Sequence, residues 1–342
     1  MSFRDEFYEN YFGTKIASNT PADIRKEFDN KIDAFIKINT PKSLFKFYSS
    51  EQKNFESLNK NLIYLNTAQN FNDIFDSCFY VDDEKISNNF LVGLSDRKRI
   101  ANYKNFCNNI SPEALKMIDN AVNQIKNMPQ NNWKLFISSA FPMFQTSYKN
   151  IIFKAEEYIK TVPKLTCFTE DVTSVLMWSH YADKHKGYAL EFDFSDIQNY
   201  CAICTNKCKN EHYFQLYPVV YSDKRFEATD FVTYYLNCNL CANCSLEVPI
   251  FNDDIYSLYK ILLLKNKNWE YEKEWRLITI STNCYFERIN KKPKAIYIGV
   301  NAARETVKIL LEVAKKFEIP IYKMNYDYSN PEYKLNMNLI KK

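Results

Sequence analysis

With 342 residues, 46% of them hydrophobic, the chain can bury one large core or two modest ones. Its 4 glycines exclude a phosphate-cradling loop or a dinucleotide fingerprint, each of which crowds several glycines into a short window. A net charge of +4, with acids and bases interspersed, leaves nucleic acid as a partner unsupported by charge.

The opening, M-S-F-R-D-E-F-Y-E-N, is charged, and no run approaches the ~20 apolar residues of a membrane span. These features predict a cytoplasmic protein that does not enter a membrane. Residues 1–41 read as an N-terminal helical segment, because Ala22, Ile24, Phe28, Ile32, Phe35 and Ile36 recur at helical spacing behind Thr20-Pro21. Residues 42–328 read as a single α+β domain, a mixed, largely antiparallel sheet covered by helices. In it, S-L-F-K-F-Y-S at 43–49 and N-L-I-Y-L-N at 61–66 are strands, the first with Leu44, Lys46 and Tyr48 on one face. The Asn and Asp residues of 70–76 favour turns. A helical layer covers about 83–161, and a small cysteine-rich insert, interrupted by a strand at P-V-V-Y-S, covers about 200–245. Beyond it come a helix over Asp253–Leu264 and strands over K-N-K-N-W-E-Y-E-K-E-W-R-L-I-T-I, Y-F-E-R-I and K-A-I-Y-I-G-V. An amphipathic helix over Arg304–Phe317, a strand at I-P-I-Y-K-M-N-Y and a loose tail over 329–342 complete the chain.

The most informative stretch is Lys164–Phe194, which reads as strand, turn, short helix and strand, with Gly187 ending the helix. His180 and His185 fall in that helix, where Trp178, Tyr181, Ala182 and His185 would share one face and Ser179, His180 and Asp183 another. In the second strand Tyr188, Leu190, Phe192 and Phe194 point one way and Glu191 and Asp193 the other.

Cys201-x-x-Cys204-x-x-x-Cys208 and Cys238-x-x-Cys241-x-x-Cys244 place six cysteines in a short span. Two C-x-x-C knuckles offer four thiolates from two tight turns, which predicts a structural zinc site of Cys201, Cys204, Cys238 and Cys241, with Cys208, Cys244 and His212 as alternates. An iron–sulfur cluster is the other reading, although the downstream Cys-Pro of a ferredoxin run is missing.

The strand around Tyr48, F-N-D-I-F-D, C-F-T-E, L-M-W-S-H-Y-A-D-K-H-K-G-Y-A-L-E-F-D, P-V-V-Y-S-D and W-E-Y-E-K-E-W-R-L-I occur in an order that resembles the bacterial domain-of-unknown-function 2971 family. The resemblance covers most of residues 42–328, with Ile74 standing where the family usually has proline. It implies a bacterial cytosolic protein and brings no chemistry with it.

Three functional readings follow. The order Lys46 and Tyr48, Thr169, then Glu272 and Glu274 resembles an ADP-ribosyltransferase-like architecture, which would make NAD a substrate and Glu274 the principal carboxylate. The early arginine or histidine and the Ser-Thr-Ser triplet of that architecture are absent. The second reading is a hydrolase or nuclease-like enzyme with His180 as proton carrier, oriented by carboxylates such as Glu191 or Glu274 and assisted by Arg276. The third is a zinc-stapled module that binds protein or nucleic acid without catalysis. The enzyme readings expect one site assembled from Glu274, His180, Arg276 and Glu272, with Tyr48, Lys46, Asp73, Thr169, Trp178, Tyr181 and Glu191 around the substrate. The acceptor and the oligomeric state are not set by these motifs.

Overall fold

The computed structural model describes residues 2–95, 111–195, 215–244, 250, 253–280 and 288–341. Its strands are β1 (Leu44–Tyr48), β2 (Leu62–Tyr64), β3 (Phe79–Tyr80), β4 (Lys164–Thr169), β5 (Tyr188–Phe192), β6 (Gln215–Pro218) and β7 (Val220–Ser222). They continue with β8 (Phe226–Glu227), β9 (Leu264–Asn266), β10 (Glu274–Thr279), β11 (Arg288–Asn290), β12 (Ala295–Ile298), β13 (Ile321–Tyr326) and β14 (Leu335–Lys341).

Eight of them form one sheet in the order β14-β13-β12-β5-β1-β4-β10-β6. Only β12 and β13 run parallel within it, so the sheet is mixed and mostly antiparallel, as the alternating patterns predict. The expected strand over 218–222 is two strands split at Val219, β6 in the large sheet and β7 paired with β9. Residues 335–341, expected as loose tail, are β14, and they pair along β13 with Leu335, Met337 and Leu339 opposite Tyr326, Met324 and Tyr322.

Helices cover the sheet. The helical layer consists of Asp83–Ser95, Pro112–Asn127 and Gln130–Thr161, and Arg304–Phe317 forms over the expected residues, burying Thr306, Leu310, Val313 and Ala314. The helix expected over Asp253–Leu264 is shorter, Ser257–Leu263, because Asp254 caps the turn before it through the Tyr256 amide at 3.2 Å. The N-terminal segment holds the helices Phe3–Phe7 and Ala22–Asn39 and joins the main core: Phe7 stacks on Tyr11 at 5.1 Å and on Tyr217 at 6.1 Å. Among the described residues no helix is long and apolar enough to cross a membrane.

The cysteine motifs fall partly outside this description: Cys201, Cys204, Cys208 and His212 lie beyond the described residues. Cys238, Cys241 and Cys244 lie in the helix Thr229–Cys244, with Cys238 exposed. The tight turn expected for this second knuckle is therefore helix. Among the described residues no group of three or more His, Cys, Asp or Glu side chains is placed to hold a metal ion.

With so few glycines, other residues take the left-handed backbone positions. Asn61, Ser77, Asp183, Lys184, His185, Lys273 and Glu318 all have positive φ, from 45° to 67°. The helix after β4 accordingly ends at Tyr181, and His185 sits in a left-handed turn instead of on the helix. Gly187 is not the left-handed stop expected from its position. A Cβ there would lie 2.0 Å from the Tyr48 carbonyl oxygen, so glycine is required by the close approach of two backbones.

Candidate functional site

β1 and β4 are neighbours that pair at one position, Phe45 with Thr169, whereas β1 pairs with β5 at five positions and β10 with β4 at six. Farther along β4, Asn66 takes the place of β1: its N–H donates to the Leu165 carbonyl and its carbonyl accepts from the Leu165 N–H, both at 2.8 Å. Between these two points the edge of β4 has no strand beside it. Backbone direction alternates with period two, so Cys167 turns its carbonyl to the gap as Leu165 does. That carbonyl accepts from Lys46 Nζ at 3.4 Å. A cavity of about 550 Å³ occupies the gap, in the size range of small-molecule sites.

Beside the gap is a buried ion cluster. Arg276 is fully buried on β10 and uses every donor it has. Its Nε donates to Glu274 Oε1 at 2.7 Å. One terminal nitrogen reaches Asp76 Oδ1 at 2.9 Å and the Leu262 carbonyl at 2.5 Å, and the other reaches Asp76 Oδ2 at 2.6 Å and Glu274 Oε2 at 3.2 Å. Lys265, from β9, donates to Glu272 Oε2 at 2.6 Å and Glu274 Oε2 at 3.0 Å. Tyr181 donates its hydroxyl to Glu272 Oε1 at 2.6 Å.

Local backbone explains why these groups meet. Glu272 ends a 3₁₀ helix and Glu274 starts β10, with Lys273 between them in the left-handed region at φ 45°. That turn brings both carboxylates to one ammonium, with Glu272 outside the strand that Glu274 begins. Ser77, at φ 57°, likewise follows Asp76 where the chain delivers that carboxylate to Arg276. Non-glycine residues in this region store strain that the surrounding contacts must hold.

The two glutamates are driven apart electrostatically. Burial pushes Glu274 up, but Arg276 and Lys265 outweigh it and hold its carboxyl well below the usual range. Burial and the neighbouring Glu274 raise Glu272, and Lys265 only partly offsets them. Burial, then Glu272, push the Tyr181 hydroxyl far up, so it stays a donor.

Of the residues singled out in the sequence, Glu272, Glu274, Arg276, Lys46, Tyr48, Thr169 and Tyr181 line this one cavity. Four others lie elsewhere. His180 is exposed, with its ring 6.5 Å from that of Trp269. Trp178 is fully buried against Phe47 and donates Nε1 to the Val172 carbonyl at 2.6 Å. Glu191 belongs to the other face of β5, where it accepts from Tyr297 at 2.8 Å and Ser43 at 2.5 Å. Asp73 caps its own turn through the Phe75 amide at 2.9 Å. With all its donors spent inside the protein, Arg276 orients Glu274 and Asp76 instead of assisting His180.

Asp76 and Lys265 complete the cluster and were not singled out. Asp76 sits in the same Asn/Asp run as Asp73, and Lys265 in the K-N-K run before Trp269. Nothing in residue type separates either from a solvated neighbour.

A family model described as a protein of unknown function, DUF2971, matches residues 177–277. The matched segment contains Tyr181, Lys265, Glu272, Glu274 and Arg276, and leaves Lys46, Tyr48, Asp76 and Thr169 outside it. No curated protein and no solved structure matches the chain.

Proposed function

We propose that this cavity, part of whose lining lies in the segment matched by the DUF2971 family model, is the active site of an NAD-consuming, ADP-ribosyltransferase-like enzyme. The observation that carries the reading is the carboxylate pair, Glu272 raised and Glu274 lowered, on the floor of a cavity of about 550 Å³. Two carboxyls whose environments push them apart suit two roles in breaking a glycosidic bond. Glu274, held ionised, faces the positive charge that develops on the ribose as the C1′–N bond breaks and its electron pair moves to the pyridine nitrogen. Nicotinamide leaves neutral. Glu272, which binds a proton more readily, takes the proton of the attacking water or acceptor, with Tyr181 fixing its orientation. Lys46, Tyr48 and Thr169 wall the same space. Exposure of His180 outside the cavity gives a histidine-based hydrolase no comparable support.

The test is nicotinamide release from NAD by purified protein. Glu272→Gln should lower release by about 100-fold or more in protein shown by its melting curve to be folded at the assay temperature, the scale of a lost proton-transfer group. Wild-type protein that releases no nicotinamide above background overturns the reading and leaves a binding cavity braced by ion pairs.

A further inference from the structure

Lys46 is a cavity cation that no carboxylate answers. Lys265 and Arg276 spend their charge on Asp76, Glu272 and Glu274. Lys46 makes no ion pair among the described residues; its Nζ has the Cys167 carbonyl at 3.4 Å and the rings of Tyr48 and Phe168 at 5.7 and 5.9 Å. Two further groups on the cavity lining are unspent. The Tyr48 hydroxyl and Thr166 Oγ1 are both buried without a hydrogen-bond partner.

Lys46 is half-buried, and burial lowers its pKa more than Cys167 and Glu274 restore it; an ammonium so placed without an ion pair and two buried unsatisfied hydroxyls each cost folding free energy. Methionine, phenylalanine and valine would fill the same volumes at no such cost. A polar group that opposes folding and faces a cavity is explained by what enters the cavity. One cation and two hydroxyl donors match an oxyanion with several acceptor oxygens.

We propose that Lys46, Tyr48 and Thr166 form a subsite for a phosphate group, so that the ligand of this cavity is a phosphorylated molecule of the nucleotide class. The proposal deepens the reading above, resting on it for the ligand's other half but not for the reaction. Charge is consistent with it. The cluster beside Lys46 engages Lys265 and Arg276 with its three carboxylates, so Lys46 is the lining cation left for an incoming anion.

The experiment is calorimetric titration of the full chain with inorganic pyrophosphate, ADP-ribose and nicotinamide, each at low and high salt. Pyrophosphate and ADP-ribose should bind, more weakly at high salt, and Lys46→Met should weaken both by about ten- to hundredfold while leaving nicotinamide unchanged. Tyr48→Phe and Thr166→Val remove hydroxyls that bond nothing in the free protein. Each should weaken the anions several-fold with a melting temperature equal to or above wild type, which keeps the test open if Lys46→Met does not fold. Failure of wild type to bind either anion at millimolar concentration, or unchanged binding in all three variants, overturns the subsite. Lys46-dependent anion binding without nicotinamide release would uphold the subsite and remove the glycosidic reading.

Discussion

Arg276 and Asp76, 200 positions apart in sequence, meet through two parallel hydrogen bonds of 2.9 and 2.6 Å, with neither side chain open to solvent. Burial opposes the Arg276 charge, but Asp76 and Glu274 outweigh it and hold the guanidinium protonated. Removing one partner would leave the other charged and dry. Asp76→Asn should therefore cost about 3–5 kcal/mol by denaturant titration. Glu51→Gln, which breaks the exposed Lys53–Glu51 pair, should leave the denaturation midpoint essentially unchanged. Similar losses for the two would show that the cluster does not carry its charge buried.

Glu272 and Glu274 give opposite pH signatures. Glu274 is lowered, so its contribution is present above the unfolded value near 4.5 and fades as pH falls. Glu272 is raised, so the folded state holds its proton more tightly than the unfolded chain does, and its contribution is full below 4.5 and lost as pH rises through the folded value. Wild-type melting temperature should lose stability on the rising side of that window. Glu272→Gln should flatten this loss and leave the acid limb in place. A profile unchanged by the substitution would remove Glu272 as the titrating group.

Gly187→Ala places a methyl group 2.0 Å from the Tyr48 carbonyl oxygen and 3.1 Å from that of Ala182. Both contacts are backbone, so neither can swing away, and overpacking of this kind costs about 1–3 kcal/mol. The displaced strand is the one that carries Lys46 and Tyr48. Reduced stability with weakened ADP-ribose binding is the expected pair of outcomes, read by thermal melting and calorimetry.

Arg4 reaches across the chain to the carbonyls of Val219 and Glu274, at 3.2 and 3.4 Å, and to Glu170 at 2.5 Å, the carboxylate that also accepts from Trp275 Nε1 at 2.7 Å. The N-terminal helix thus braces the start of β10 from behind. Arg4→Ala should destabilise the fold by about 1–3 kcal/mol. Arg4→Lys should restore only part of the loss, because a point ammonium cannot reproduce the forked contacts. Denaturation midpoints decide between these outcomes.

Local pattern made much of this legible. L-F-K-F-Y, K-L-T-C-F-T and Y-A-L-E-F alternate as the strands they form, and Arg304–Phe317 carries an apolar stripe at helical period. Thr169, Glu274 and Arg276 follow from strand pairing between β4 and β10, whereas Lys46, Tyr48, Tyr181 and Glu272 reach the same cavity through the gap beside β4, the short helix and the Lys273 turn. Alternation alone does not separate Glu191, which lies in register with Phe45, Thr169 and Glu274; its bonds to Ser43 and Tyr297 hold it away from the cluster. What stayed hidden depends on backbone that residue type does not announce. Ser77 and the run Asp183–His185 adopt positive φ without glycine, and these turns decide that Asp76, not Asp73, goes inward and that His185 leaves the helix. Lys265 was hidden for a different reason: its burial is set by β7 and β10, far from its own neighbours.

The lone pairing of Phe45 with Thr169 also divides the eight strands into five and three. Along that seam a change of angle between the two parts disturbs one rung and preserves the ladders on either side. Cavity width is thus among the softest dimensions of the sheet. A molecule seated in the seam acts as a fastener between the two parts, and its signature should be slowed amide exchange on both sides, reaching well past the residues it touches.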